Sequence, residues 1–125
     1  MREVISTNDA PKAIGPYSQA IRANGFIFVS GQTPMDPATQ QMVEGGVAEQ
    51  TERALKNIEG ILKAAGSSME KIVRCGVFLK DMNDFAAMNE VYARFFRNAP
   101  PTRSTIEAAR LPKDCRVEID AIALE

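Results

Sequence analysis

Residues 47–79 read VAEQTERALKNIEGILKAAGSSMEKIVRCGVFL, and this stretch decides the fold class. Val47, Thr51, Ala54, Leu55, Ile58, Ile61, Leu62 and Ala65 recur at helical spacing and form one apolar face, so a helix is predicted over 47–65. Gly66 is its stop, because glycine readily takes the left-handed C′ conformation. Gly60 interrupts the helix at a cost of about 1 kcal/mol relative to alanine and is read as a place for close packing. Ile72–Leu79 then alternates as a strand. Val73, Cys75, Val77 and Leu79 are expected on one face, with Ile72, Arg74, Gly76 and Phe78 on the other.

Upstream, Tyr17–Arg22 and Phe26–Ser30 are β-type runs around Ala23-Asn24-Gly25. Asn-Gly is a strong hairpin signal, since both residues tolerate the positive φ of a type I′ turn. A brief strand is expected near Glu3–Ile5. Gly31–Gly46 contains Pro34, Asp36-Pro37 and Gly45-Gly46, and reads as a long loop without a period. Downstream, Asp81-Met82-Asn83-Asp84 supplies helix-start chemistry. A second helix is predicted over 84–97, with Phe85, Met88, Tyr92, Phe95 and Phe96 on its apolar side. Pro100-Pro101 ends it, and strands follow at Thr102–Ala108 and Cys115–Leu124. The expected class is α+β, one domain over 1–125 with two helices on one face of a mixed sheet.

The 125 residues suit one core without metal or disulfide staples. Lys plus Arg number 15 and Asp plus Glu 16, for a net charge of −1. That balance disfavours a nucleic-acid partner. The sequence has no histidine, which removes the usual zinc sites and the Ser-His and Cys-His nucleophile pairs. No metal or cofactor is expected. The first residues lack the apolar run of a signal peptide, and no apolar stretch approaches the ~20 residues a membrane helix needs. A cytoplasmic protein with two reduced thiols, Cys75 and Cys115, is the expectation.

Alternation puts Arg103, Thr105 and Glu107 on one strand face, and Arg116, Glu118 and Asp120 on one face of the last strand. If those strands are neighbours, an arginine and a carboxylate face one region. The competing reading is a solvated sheet face with a weak surface ion pair, and spacing alone favours it. Tyr17 follows Gly15-Pro16, a turn that aims its phenol either into a cleft or over the sheet edge. Ser30-Gly31 is either a plain strand end or a place where backbone approaches a ligand. The cysteines and the aromatic residues of the second helix read as core.

Together, Ile14-Gly15-Pro16-Tyr17-Ser18-Gln19-Ala20, Val29-Ser30-Gly31-Gln32, Pro101-Thr102-Arg103-Ser104, Leu111-Pro112 and Val117-Glu118-Ile119 resemble the Rid (YjgF/YER057c/UK114) family of enamine/imine deaminases. The resemblance spans nearly the whole chain. It implies a chorismate-mutase-like fold, a six-stranded mixed sheet with two helices on one face. It also implies a homotrimer with clefts at subunit interfaces. The implied substrates are 2-aminoacrylate, 2-iminopropanoate and 2-iminobutanoate, hydrolysed to 2-oxo acids and ammonia. By the same resemblance, Arg103 binds the substrate carboxylate, Glu118 orders the attacking water and Tyr17 is the pocket tyrosine. Ser30 and Gly31 meet the ligand at the strand end, and Asn89 lines the cleft from the second helix. Thr105 stands at a position often filled by cysteine.

These residue types suit the reaction. An imine carbon is already electrophilic, so the site needs an oriented substrate, a water and a proton carrier. A guanidinium fork fixes a carboxylate through two parallel hydrogen bonds. Two other readings compete: a non-catalytic ligand-sensing trimer, and an endoribonuclease or translation inhibitor, which the charge balance does not support.

Overall fold

The computed structural model describes residues 1–125. Strand β1 (Glu3–Ile5) pairs with β2 (Ala20–Ala23), and a tight turn leads from β2 into β3 (Phe26–Gln32). Asn24 and Gly25 are both left-handed in that turn, at φ 51° and 83°, as type I′ geometry demands. β2 begins at Ala20 rather than Tyr17, and the Gln19 carboxamide just before it ties to residues 7–11. It accepts from Thr7 N at 2.7 Å and donates to the carbonyls of Thr7 and Pro11 at 3.1 and 2.8 Å. Those bonds hold residues 6–19 as an irregular strap across the molecule.

The connection after β3 is more ordered than its sequence indicates. It holds a small hairpin of β4 (Met35–Asp36) and β5 (Gln41–Met42). Strands of two residues carry no readable alternation. Helix α1 (Val47–Ala64) follows. Glu49 reaches back to accept from Gly46 N at 2.8 Å, satisfying a donor at the helix start. At the other end Ser67 N bonds Leu62 O (2.8 Å) and Gly66 N bonds Lys63 O (3.0 Å), with Gly66 at φ 79°. This is a Schellman stop. The expected close packing at Gly60 is present: a Cβ there would lie 2.7 Å from the Asp9 carbonyl oxygen of the strap.

β6 (Ile72–Leu79) has the predicted bounds. Its predicted faces hold for Cys75, Val77 and Leu79, which are buried, but Val73 is 38% exposed while Ile72 is buried. A bulge between Ile72 and Arg74 reverses the alternation there. Helix α2 (Phe85–Phe95) begins after a single 3-10 turn whose Asn83 N donates to the Asp81 carboxylate. β7 (Thr102–Glu107) and β8 (Val117–Leu124) complete the chain. Between them Lys113 and Asp114 are left-handed, at φ 55° and 57°. Arg110 clamps Asp114 through bonds of 2.8 and 3.2 Å, and Leu111 and Cys115 are buried anchors on either side.

The six-stranded sheet runs β1-β2-β3-β8-β6-β7, and β6 and β7 are its one parallel pair. Both helices cover one face, as expected. Leu55, Ile58, Ile61 and Leu62 of α1 and Met88 of α2 pack with Val77, Leu79, Val117 and Ile119 of the sheet in one core. Each such side chain contributes about 1.5–3 kcal/mol by leaving water.

The condition for an arginine and a carboxylate to face one region is not met. β7 and β8 are not neighbours, because β6 lies between them. Arg103 and Thr105 are level with Cys75 and Val77 of the core face. Glu118 is level with Phe78, on the opposite face. Strand alternation fixes the faces within a strand, but only the sheet order says which faces coincide.

Candidate functional site

Five of the candidate residues and Asn89 divide into two groups on opposite sides of the sheet, with Thr105 joining the second. The first surrounds a cavity of about 460 Å³ whose lining includes Tyr17, Gln19, Ser30, Gly31, Lys113 and Glu118. The β3–β8 register shifts between Val29 and Gln32, so Ser30 and Gly31 bulge out of the ladder toward this space. The Glu118 carboxylate occupies the space a Cβ at 31 would take, so any side chain there would have to push it aside.

Ser30 is fastened to the strap. Its N–H donates to Gln19 O at 2.9 Å and its hydroxyl donates to Ser18 O at 2.6 Å. The hydroxyl proton is thereby committed, and the oxygen can serve a ligand only as an acceptor. Tyr17 is 50% exposed. Its hydroxyl accepts from Ile14 N at 3.2 Å, which leaves its own proton available to donate. Glu118 has no ion-pair or hydrogen-bond partner in the chain. Burial, followed by the charge of Asp120, pushes its carboxyl above the usual range. A carboxylate so tuned works as a proton carrier closer to neutral pH.

The second group lies on the helix side at the sheet edge. Arg103 is half-buried between β7 and α2. Its Nη1 donates to Asn89 Oδ1 at 2.7 Å. Its guanidinium carbon lies 4.8 Å from the Tyr92 ring centre and 5.5 Å from that of Phe85. Such contacts contribute about 0.5–2 kcal/mol each. No acid pairs with it, so the expected surface ion pair is absent. Thr105 lies two residues along, and its buried hydroxyl has no partner.

Thus the structure brings Tyr17, Ser30, Gly31 and Glu118 together and sets Arg103, Asn89 and Thr105 apart from them. Asn89 contacts the arginine and is absent from the lining of the cavity. Tyr92, read from sequence as core, is also the platform beneath Arg103. The signal for it is the spacing of Phe85, Asn89 and Tyr92, one helix stripe in which a polar residue interrupts two aromatic ones. Lys12 and Lys113 also line the cavity and carry no motif of their own, while Gln19 lines it from within the Ile14–Ala20 motif. Cys75 and Cys115 are buried free thiols. Burial pushes each up to about 11, so both stay protonated and unreactive at neutral pH. No three or more Cys, Asp or Glu cluster with metal-binding geometry.

Residues 7–125 match the family model described as endoribonuclease L-PSP. A RutC family protein of Pyrococcus horikoshii is 54% identical, over 98% of each chain. The 2-iminobutanoate/2-iminopropanoate deaminase of Mus musculus is 49% identical, over 100% of this chain and 93% of its own. The crystal structure of YyfA, a Rid-family protein of Yersinia pestis, superposes with a TM-score of 0.97 at 44% identity, covering 100% of both chains.

Proposed function

The chain belongs to the Rid family, matched here through its endoribonuclease L-PSP model, and from that premise we propose that it hydrolyses 2-imino acids and their enamine tautomers to 2-oxo acids and ammonia. The observation that carries this reading is a pair of half-buried charges without ionic partners. Arg103 is a cation held by neutral groups, and Glu118 is a carboxyl of raised pKa beside an open cavity. The relatives named as deaminases of 2-iminobutanoate and 2-iminopropanoate, near half-identical over the full chain, support the substrate class.

In the proposed reaction the substrate carboxylate lies along the guanidinium fork of Arg103, which fixes the imine carbon in place. Glu118 accepts a proton from water as its oxygen bonds to that carbon. With the substrate reacting in its N-protonated form, the resulting carbinolamine takes the proton from Glu118 on nitrogen, and as the C–N bond breaks its hydroxyl returns a proton to Glu118, so the carbonyl forms and ammonia leaves. The Tyr17 hydroxyl donates to the substrate, and Gly31 brings bare backbone against it. Enamines enter the same path after protonation at C3.

Arg103 and Glu118 act together only across two chains in this scheme, since one chain holds them on opposite faces. Two observations support self-assembly into a homotrimer with sites between subunits: the site is divided, and the open sheet face exposes apolar side chains beside the Arg74–Asp120 pair. Phe28 and Ile106 are exposed there, level with the half-buried Ile122 and Phe78. Such a patch marks an interaction surface. No helix is long and apolar enough to cross a membrane. A cytoplasmic location fits the two free thiols.

The test is ammonia release from 2-aminoacrylate generated in place. The wild-type chain should accelerate it and Arg103→Ala should not. Wild-type activity in that variant sinks the assignment.

A further inference from the structure

The way Arg103 is held carries a consequence for how the site binds anions. Five other arginines pair with acids of this chain: Arg22 with Glu3, Arg74 with Asp120, Arg94 with Glu90, Arg110 with Asp114 and Arg116 with Asp84. Arg103 instead meets the neutral amide of Asn89 at 2.7 Å and the ring faces of Tyr92 and Phe85. Its other N–H groups make no hydrogen bond within the chain. Tyr92 is itself locked. It is 6% exposed, stacks on Phe96 at 4.6 Å between ring centres, and its buried hydroxyl has no oxygen or nitrogen partner, with the Cys75 thiol beside it.

We infer that Asn89 and Tyr92 are positioning residues that orient Arg103 while leaving its charge unneutralised by any acid of its own chain, so that the charge stays available to the substrate carboxylate. This rests on the proposed role of Arg103 in substrate binding. Asparagine and aspartate have nearly the same shape, and an aspartate would make the stronger bond to the guanidinium. It would also satisfy the cation internally. An arriving carboxylate would then meet an ion pair and a second negative charge, and like charges at one cation repel. An amide carbonyl supplies the orienting hydrogen bond without that competition. The rings add orientation by stacking, again with no formal charge.

The inference ranks two substitutions in an order that a merely structural Asn89 would reverse. Asn89→Asp keeps and strengthens the bond to Arg103. Asn89→Thr loses the reach but adds no charge. Pyruvate, an unreactive 2-oxo acid, serves as the binding probe by calorimetry, beside KM and kcat for 2-iminopropanoate generated in place and thermal unfolding of each protein. Asn89→Asp should weaken pyruvate binding and raise KM by at least about tenfold, with a midpoint of unfolding no lower than wild type. Asn89→Thr should weaken binding by less. Equal binding in Asn89→Asp and wild type overturns the inference, as does Asn89→Thr being the weaker binder. An Asn89→Asp protein that fails to fold overturns it too, because a charge left free must accept an acid beside it. Wild-type protein that binds pyruvate yet releases no ammonia from any imine counts against the proposed reaction and leaves the account of Arg103 standing.

Discussion

Helix α2 handles two arginines in opposite ways. At its start, Asp84 takes Arg116 in a two-pronged ion pair, with N–O distances of 2.9 and 3.0 Å. Farther along, its flank offers Arg103 the amide of Asn89 and the rings of Phe85 and Tyr92. The first cation is used up in tying α2 to the segment before β8. The second is oriented and left uncompensated. The first pair, bidentate and with Asp84 largely buried, contributes about 1 kcal/mol to the architecture, whereas the half-buried Arg103 has no acid of its chain against it. The contrast separates an arginine of the architecture from the arginine proposed to bind substrate.

The sharpest way to break that contrast is Arg103→Ala, which should lower kcat/KM for 2-iminopropanoate by about 10³-fold or more with the chain still folded by circular dichroism. Glu118→Gln is next. Removing the proposed proton carrier should cost roughly 10²–10⁴-fold in turnover while pyruvate still binds. In wild type, kcat/KM should rise with pH along a limb set by Glu118, at a midpoint above the usual carboxylate value of about 4.3, and the limb should vanish in the variant. The same raised carboxyl makes a stability prediction. The folded state disfavours ionised Glu118, a penalty present at neutral pH and absent below the unfolded pKa. Glu118→Gln should therefore unfold at a higher temperature than wild type at pH 7, with the gain disappearing in acid. Asp84→Asn makes the structural arginine resemble the functional one. It should cost about 1 kcal/mol of stability in urea titrations and leave pyruvate binding unchanged. The smallest effect is expected at Thr105, whose buried hydroxyl is unpartnered. Thr105→Val should stabilise by up to about 1 kcal/mol, read from the denaturation midpoint.

Elements with strong local rules were legible in the sequence. Asn24-Gly25 names its own turn, the apolar stripe of α1 sets the helix to within a residue, and Gly66 marks its end. The face shared by Arg103 and Thr105 was legible too, since alternation is a local property. Their relation to Glu118 was not. Adjacent strands in the chain suggested neighbours in the sheet, but β6 takes the place between them, and pairing of that kind is decided by long-range packing. The strap was also hidden, because its order comes from one side chain, Gln19, bonding residues about ten positions away. Asn89 stood in view at the right spacing, yet only its 2.7 Å bond to Arg103 shows what it touches.

The place of β8 in the sheet has a consequence for how the chain is made. The last strand in sequence is third from one edge, joining β3 on one side to β6 on the other. Until Val117–Leu124 has been synthesised, the sheet exists only as two separate pieces, the β1–β3 meander and the parallel β6–β7 pair, with no common partner. Neither piece closes the core under α1. From the completion of α1 at Ala64 until β8 is made, the apolar helix face lacks the part of its cover that β8 supplies, and cooperative folding waits for that eight-residue strand. Chains released before that point are aggregation hazards, and the burden of keeping them apart falls on whatever greets them at the ribosome.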